Sequence, residues 1–370
     1  MLHLFNSKIG SLFDKINWVD TLARKKFVAS GILAMIKSKK VQFSELAFHL
    51  NPEAKTESNI RRIQAFFQQY DFDYERISVL LACFLPTGKV RVCLDRTEWD
   101  FGLCQVNILA VRVHCKGVGI PVYFEMLDNH SGCSKYLDRI TLLEKVVNLL
   151  GVTRIEAVIA DREFIGQKWY NYLLNSGLSF YLRLPKSTLL TVNGLTKRAA
   201  DFLTDRYSCQ LDQVKIGPYY LSVAMGKDKL SADPLIVLTN TFAHQAIHAY
   251  KKRWSIEVFF QSIKRRGFDL ESSHLQSLEK LKKLFALVCI AYHLCLQVAI
   301  EYHHKVQKIR TQKNGYKINS FFRKGLDVLR QILMNQKEGD LFKLNQFVNK
   351  LYRMILLQLI TKQTFIKIIV

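Results

Sequence analysis

A chain of 370 residues, 49% hydrophobic and 23% charged, is long enough for two or three domains and too apolar for a disordered chain. Its 54 Lys and Arg outnumber 31 Asp and Glu, a formal net charge of +23. Such an excess repels itself unless a polyanion neutralises it, which leaves nucleic acid or an anionic membrane as the expected partner. The basic residues are spread along the chain, so an extended binding surface is expected rather than a polybasic tail.

The opening stretch "MLHLFNSKIGSLFDKINW" has neither a long apolar core nor a small-residue cleavage site, and is not read as a signal peptide. Residues 1–88 read as helical. "WVDTLARKKFVASGILAMIKS" and "VQFSELAFHL" have helical periodicity, and "TESNIRRIQAFFQQYDF" offers a capping residue followed by apolar residues at helical spacing. Carrying Arg24, Lys25, Lys26, Lys37, Lys39, Arg61 and Arg62, these short helices suit a helix-turn-helix-like DNA-binding module. "LPTG" at 85–88 ends the region.

Beyond it the period changes. "KVRVCLDRTEW" (89–99), "QVNILAVRVHC" (105–115) and "GIPVYFEML" (119–127) are β-rich and separated by turn signals, the pattern of an antiparallel meander. "KYLDRITLLEKVVNLLG" predicts a helix stopped by Gly151, and "IEAVIAD" (155–161) a buried central strand ending in Asp161. A further helix closed by Gly177 and the strand "LSFYLRLP" complete a mixed sheet covered by helices, over 89–185. From 186 to 240, turn signals between short β-prone runs predict an antiparallel insertion. Residues 241–275 return to helix, and 276–370 form a basic helical region. Within the latter, "LFALVCIAYHLCLQVAI" (284–300) is barely long enough to span a bilayer and carries His293 and Gln297, so a buried helix is expected. The eight cysteines include no C-x-x-C pair and read as reduced core thiols of a cytosolic protein.

Read as one helix, "YKKRWSIEVFFQSIKRRGF" (250–268) stacks Tyr250, Arg253, Glu257 and Lys264 in a stripe roughly 60° wide between two apolar borders. An ordinary surface helix has one apolar stripe and one solvated face, so these groups need a polar partner. The bland reading is an Arg253–Glu257 salt bridge in the weaker cation-first order, worth about 0.2–0.5 kcal/mol. Asp95 and Asp161 fall at expected strand ends, where mixed sheets open a crevice. With Glu257 they make three oxygen donors suited to Mg2+, a hard cation that also accepts phosphate oxygens. Two such ions activate one oxygen of a phosphodiester displacement and stabilise the other.

"LDRTEWDFG", "IADREF" and the Tyr250/Arg253/Glu257/Lys264 spacing resemble the DDE transposases of bacterial insertion sequences, in the branch marked by Y-(2)-R-(3)-E-(6)-K. "LNPEAKTESNIRRIQAFF" is similar to a segment of the same branch, and the likeness runs from about Asn51 to about His274. The resemblance implies a ribonuclease H-like α/β fold, a mixed sheet with flanking helices, interrupted by the β insertion before the glutamate helix and joined to helical N- and C-terminal regions. It implies Asp95, Asp161 and Glu257 as catalytic metal ligands for Mg2+, with Mn2+ as a substitute. Tyr250, Arg253, Lys264 and Arg162 are the implied DNA contacts, with Glu163 in support. It further implies cutting at terminal inverted repeats, joining of 3′-hydroxyl ends to target DNA, a homodimer in the DNA complex, and a bacterial cytoplasmic location with no membrane association.

Hairpin-forming relatives hold a flipped base on a tryptophan of the insertion. The tryptophans here are 18, 99, 169 and 254, so Tyr207, Tyr219 or Tyr220 would have to substitute. Two other readings stay open: a ribonuclease H-like nuclease or resolvase that cuts without joining, and a DNA-binding copy without activity.

Overall fold

Some helix starts in this chain, at Thr21, Asp73, Ser277 and Ser320, coincide with side chains that receive an orphan backbone N–H. Thr21 caps α1 (Leu22–Ser38), its Oγ1 accepting from the Arg24 N–H at 3.3 Å. Two short helices follow, α2 (Phe43–Leu50) and α3 (Thr56–Gln69), the latter beginning at Thr56 with Lys55 in the capping position. Asp73 caps α4 (Tyr74–Ala82) by accepting from the Arg76 N–H at 3.1 Å. The computed structural model describes residues 19–101, 104–115, 118–127, 133–203, 206–228, 231–264, 266–312 and 317–369.

The β-rich region gives β1 (Val90–Phe101), β2 (Cys104–Cys115) and β3 (Val118–Met126). Then come α5 (Tyr136–Leu150), which closes on Gly151 at φ +85°, β4 (Ile155–Ala160), α6 (Gln167–Asn175) and β5 (Phe180–Arg183). A positive φ of that size is open to glycine at no steric cost. Five strands follow: β6 (Leu189–Val192), β7 (Leu195–Arg198), β8 (Ser208–Ile216), β9 (Tyr219–Asp228) and β10 (Ser231–Thr239). The helices α7 (Ala243–Lys251), α8 (Trp254–Lys264), α9 (Leu278–Lys305), α10 (Phe321–Asn335) and α11 (Glu338–Ile369) complete the chain.

All ten strands join one mixed sheet in the order β3-β2-β1-β4-β5-β10-β9-β8-β6-β7. β1, β4 and β5 are parallel neighbours, and β3 is antiparallel to β2. This is the mixed sheet with flanking helices that the strand and helix pattern predicts. The strands of the 186–240 segment are not a separate sheet: β10 pairs antiparallel with β5 and carries β9 and β8 outward from it. β4 holds the centre, and its near-continuous apolar run is buried except at Glu156, which pairs with Arg91 of β1.

The chain divides into two compact units, one drawn from Pro86–Glu98 and Asn107–Glu257, the other from within Met1–Leu85, Trp99–Val106 and Val258–Val370. In the first, alanines 243, 246 and 249 of α7 pack on Cys93, Ala157, Ile159, Tyr181, Ala224 and Val237 of the sheet. Small side chains let the helix lie close to the strands. In the second, α9 packs against α10, α1 and α4. A Cβ on Gly325 of α10 would fall 1.7 Å from the Cys295 carbonyl oxygen of α9, so only glycine permits that helix crossing. α9 is long and apolar enough to cross a membrane by length and composition, and 83% of its most apolar window is buried inside the protein. Five of the six cysteines described as free thiols are buried as expected; Cys133 is exposed.

His293 lies wholly inside this helical core, with Nδ1 donating to the Cys289 carbonyl oxygen at 2.8 Å and the Phe84 ring 5.0 Å away. Burial pushes its imidazole down to about 4, against the ordinary 6.5. The unfolded chain takes up this proton near pH 6.5 while the folded chain refuses it until about pH 4, so the histidine's contribution is complete above pH 6.5 and lost as pH falls through that window. The loss amounts to about 3 kcal/mol. Denaturant unfolding of His293→Leu should therefore show a smaller loss between pH 7 and pH 4.5 than the wild type, and equal losses would refute the assignment.

Candidate active site

The site starts from strand register. Leu94 of β1 pairs with Ala160 of β4 in the parallel ladder, so Asp95 and Asp161, the next residue on each chain, emerge side by side. Asp161 follows the end of β4 as expected. Asp95, expected at a strand end, is not there: β1 runs on to Phe101, and only its pairing with β4 stops at Leu94.

Two carboxylates in one crevice repel, and guanidinium groups hold them together. Arg253 places Nη1 3.7 Å from Asp95 Oδ1 and Nη2 3.3 Å from Asp161 Oδ2. Arg112 of β2, with no side-chain exposure at all, donates from Nη2 to Asp95 Oδ2 at 3.0 Å. Arg183, at the end of β5, sets Nη1 3.8 Å from Asp161 Oδ1. Tyr250 donates its hydroxyl to Asp161 Oδ1 at 3.2 Å, and each aspartate also accepts from the backbone N–H that follows it, at 3.0 Å from Arg96 and 2.8 Å from Arg162. Burial pushes the Asp95 carboxyl up from its ordinary value, while the charges of Arg112 and Arg253 pull it back. Burial also pushes the Tyr250 phenol well up, which keeps it a hydroxyl donor. The neighbouring Cys93 thiol is pushed up to about 12 by burial and stays protonated.

The stretch 250–268 is not one helix, and the single charged stripe expected on it does not form. α7 ends at Lys251, the chain turns through Lys252 and Arg253, and α8 begins at Trp254. The Arg253 N–H donates to the Tyr250 carbonyl oxygen at 2.8 Å, a tight turn that aims the arginine inward. There it meets the two aspartates. Glu257 lies on α8 in the stretch 254–258, whose side chains are outside the described residues. Lys264, in the helical unit, pairs with Glu271 at 3.1 Å and lies 5.0 Å from the centre of the Trp99 ring.

Arg162 is exposed, its Nη1 3.8 Å from Asp233, which Lys186 approaches more closely at 3.1 Å. Glu163 accepts from Arg96 Nε at 2.9 Å and from Ser134 Oγ at 3.1 Å. The buried Arg139 in turn donates to Ser134 Oγ at 2.9 Å, so the loop after β4 is tied to β1 and to α5. Arg112 and Arg183 were not singled out from the sequence. The available signal for Arg112 was a cation within the apolar run "ILAVRVHC", where an arginine survives only with a buried anion opposite.

Among the described residues, no three His, Cys, Asp or Glu side chains converge on one point. Asp95 and Asp161 do converge on a shared cation, Arg253, and two hard carboxylate oxygens around one positive charge are a donor set that fits a divalent cation.

Residues 134–294 match the family model described as the transposase DDE domain. The match takes in Asp161, Tyr250, Arg253, Glu257 and Lys264, and begins after Asp95. Among solved structures, a cryo-EM structure of the piggyBac transposase synaptic complex with hairpin DNA aligns over 94% of this chain and 82% of that one, at 11% identity and a TM-score of 0.46. No curated protein matches the chain.

The pairing of Asp95 with Arg112 can be tested by a double-mutant cycle. Arg112→Met leaves a buried carboxylate without its closest cation and should cost about 3–5 kcal/mol in urea unfolding. Adding Asp95→Asn should recover part of that loss. Strictly additive costs would show that the two groups are not coupled.

Proposed function

We propose that the protein is a DNA transposase that cuts insertion-sequence ends and joins the freed 3′-hydroxyl ends to target DNA, with Asp95, Asp161 and Glu257 as its catalytic carboxylates. The observation that carries this reading is the pair of aspartates set side by side in parallel strands around one buried cation, in a chain whose residues 134–294 match the transposase DDE domain.

Asp95, Asp161 and Glu257 are the residues that would hold Mg2+ or Mn2+. Bound there, the metal would supply an activated oxygen nucleophile and charge for the leaving oxygen. The protein's own residues prepare that exchange. Arg253 neutralises both aspartates while DNA is absent, and would turn to a backbone phosphate once another cation takes its place. Arg112 and the Arg96 N–H keep the Asp95 carboxylate in one orientation throughout, and the Tyr250 hydroxyl and Arg162 N–H do the same for Asp161. The exposed Arg162 side chain, with Lys264, adds phosphate contacts beside the cleaved bond. In this reading the helices of residues 1–88 bind duplex DNA at terminal inverted repeats. The complex is a homodimer, and the protein works with the nucleoid in a bacterial cytoplasm.

The test uses DNA carrying the inverted repeats that flank the coding region. In Mg2+ or Mn2+ the wild type should nick at the repeat ends and join pre-cut ends to a plasmid. Asp95→Asn, Asp161→Asn and Glu257→Gln should lose both activities while still shifting the DNA on a gel. Undiminished cleavage by these variants would sink the reading, and cleavage without joining would select a nuclease.

Arg253 has its own readout without DNA. If its guanidinium competes with the metal for the two aspartates, Arg253→Gln should bind Mn2+ about tenfold more tightly than the wild type in calorimetry. Unchanged or weaker binding would show that the arginine does not compete.

A further inference from the structure

A second charged site lies in the helical unit. Lys26, Ser30, Leu33 and Lys37 fall at i, i+4, i+7 and i+11 on α1, one stripe along the helix with a cation at each end. That stripe forms one wall of a cavity of about 650 Å3, closed by His49 of α2, the Asn51–Glu53 turn, Arg62 of α3 and Gln336. Three permanent cations and a histidine therefore meet around a single carboxylate, Glu53, which is exposed and makes no ion pair among the described residues.

Lys37 is the decisive group. It is 9% exposed and lines the cavity, and its ammonium, which keeps some solvent contact, makes no hydrogen bond or ion pair among the described residues. Buried ammonium groups are expensive and are ordinarily paired. The other buried lysine of the same unit obeys that rule: Lys283, 4% exposed, contacts Asp71 at 3.0 Å and donates to the Phe67 carbonyl oxygen at 3.2 Å. Burial lowers the Lys37 ammonium from its ordinary value, and burial followed by the charges of Lys37 and Arg330 lowers the His49 imidazole. The surroundings of Lys37 therefore call for an anion that the chain does not supply.

We infer that this cavity binds a phosphate group, held by Lys37 within and by Lys26 and Arg62 at its rim. Arginine and lysine converging without a carboxylate partner match the several acceptor oxygens of phosphate, and the volume admits a diphosphate or one nucleotide. The phosphate comes either from a free phosphorylated small molecule or from the DNA backbone. The inference stands on this cavity alone and does not depend on the aspartate site.

The test is calorimetric titration of the full chain with inorganic pyrophosphate and, separately, with a short duplex of arbitrary sequence. Lys37→Met keeps the length of the side chain and removes its charge; Arg62→Gln changes an exposed residue and leaves the core intact. Pyrophosphate should bind the wild type, bind both variants about tenfold or more weakly, and raise the melting temperature of the wild type only. Without ligand, Lys37→Met should melt no lower than the wild type, because an unpaired buried charge has been removed. Weakened duplex binding with no pyrophosphate binding would assign the cavity to the DNA backbone. If both variants bind pyrophosphate and duplex as the wild type does, or if Lys37→Met alone melts markedly lower, the inference is overturned.

Discussion

Two carboxylates forced into the same crevice are the constraint around which the sheet unit is arranged. Parallel register between β1 and β4 gives Asp95 and Asp161 no freedom to separate, and their mutual repulsion must be met by positive charge. The meeting is made from three directions: Arg112 from a neighbouring strand, Arg183 from the end of β5, and Arg253 from the turn between two helices. The last of these needs α7 to lie close to the sheet, which its alanine face permits, and needs the helix to stop in time. Packing and electrostatics thus select the same backbone.

Such an arrangement is poised for exchange. Of the three arginines, Arg112 is fully buried and lies 3.0 Å from Asp95, whereas Arg253 reaches both aspartates at 3.7 and 3.3 Å. A tight partner fixes orientation; a shared, looser one can be displaced by a stronger cation. The helical unit gathers cations around a single carboxylate at the cavity beside Lys37. Both sites gather more cations than carboxylates among the described residues, as expected of a chain with a net charge of +23.

Much of the fold was legible in the sequence. The strands at 90–101, 104–115, 118–126 and 155–160 follow the β-rich runs nearly residue for residue, because buried strands need apolar β-formers whatever surrounds them. Gly151 and Gly177 mark their turns with φ of +85° and +65°. The aspartates were legible for a related reason: an acid at the end of an apolar strand stands out. Arg112 was hidden because nothing near it in the chain announces its partner, 17 residues earlier. The helix break was hidden because Lys252 and Arg253 are good helix formers with no proline or glycine beside them.

By itself, then, the amino-acid order determined the alternation of strands and helices, the positive charge, and the acids and bases available to the site. These are local properties, set by side-chain period and composition within a few residues. The tertiary structure alone decided that Arg253 leaves its helix to bridge Asp95 and Asp161, that Arg112 joins them, and that the inserted strands extend the main sheet. Each of those outcomes depends on charges and strand edges that meet only after distant segments pack, and buried opposite charges at 3 to 4 Å outweigh the small preferences of local sequence.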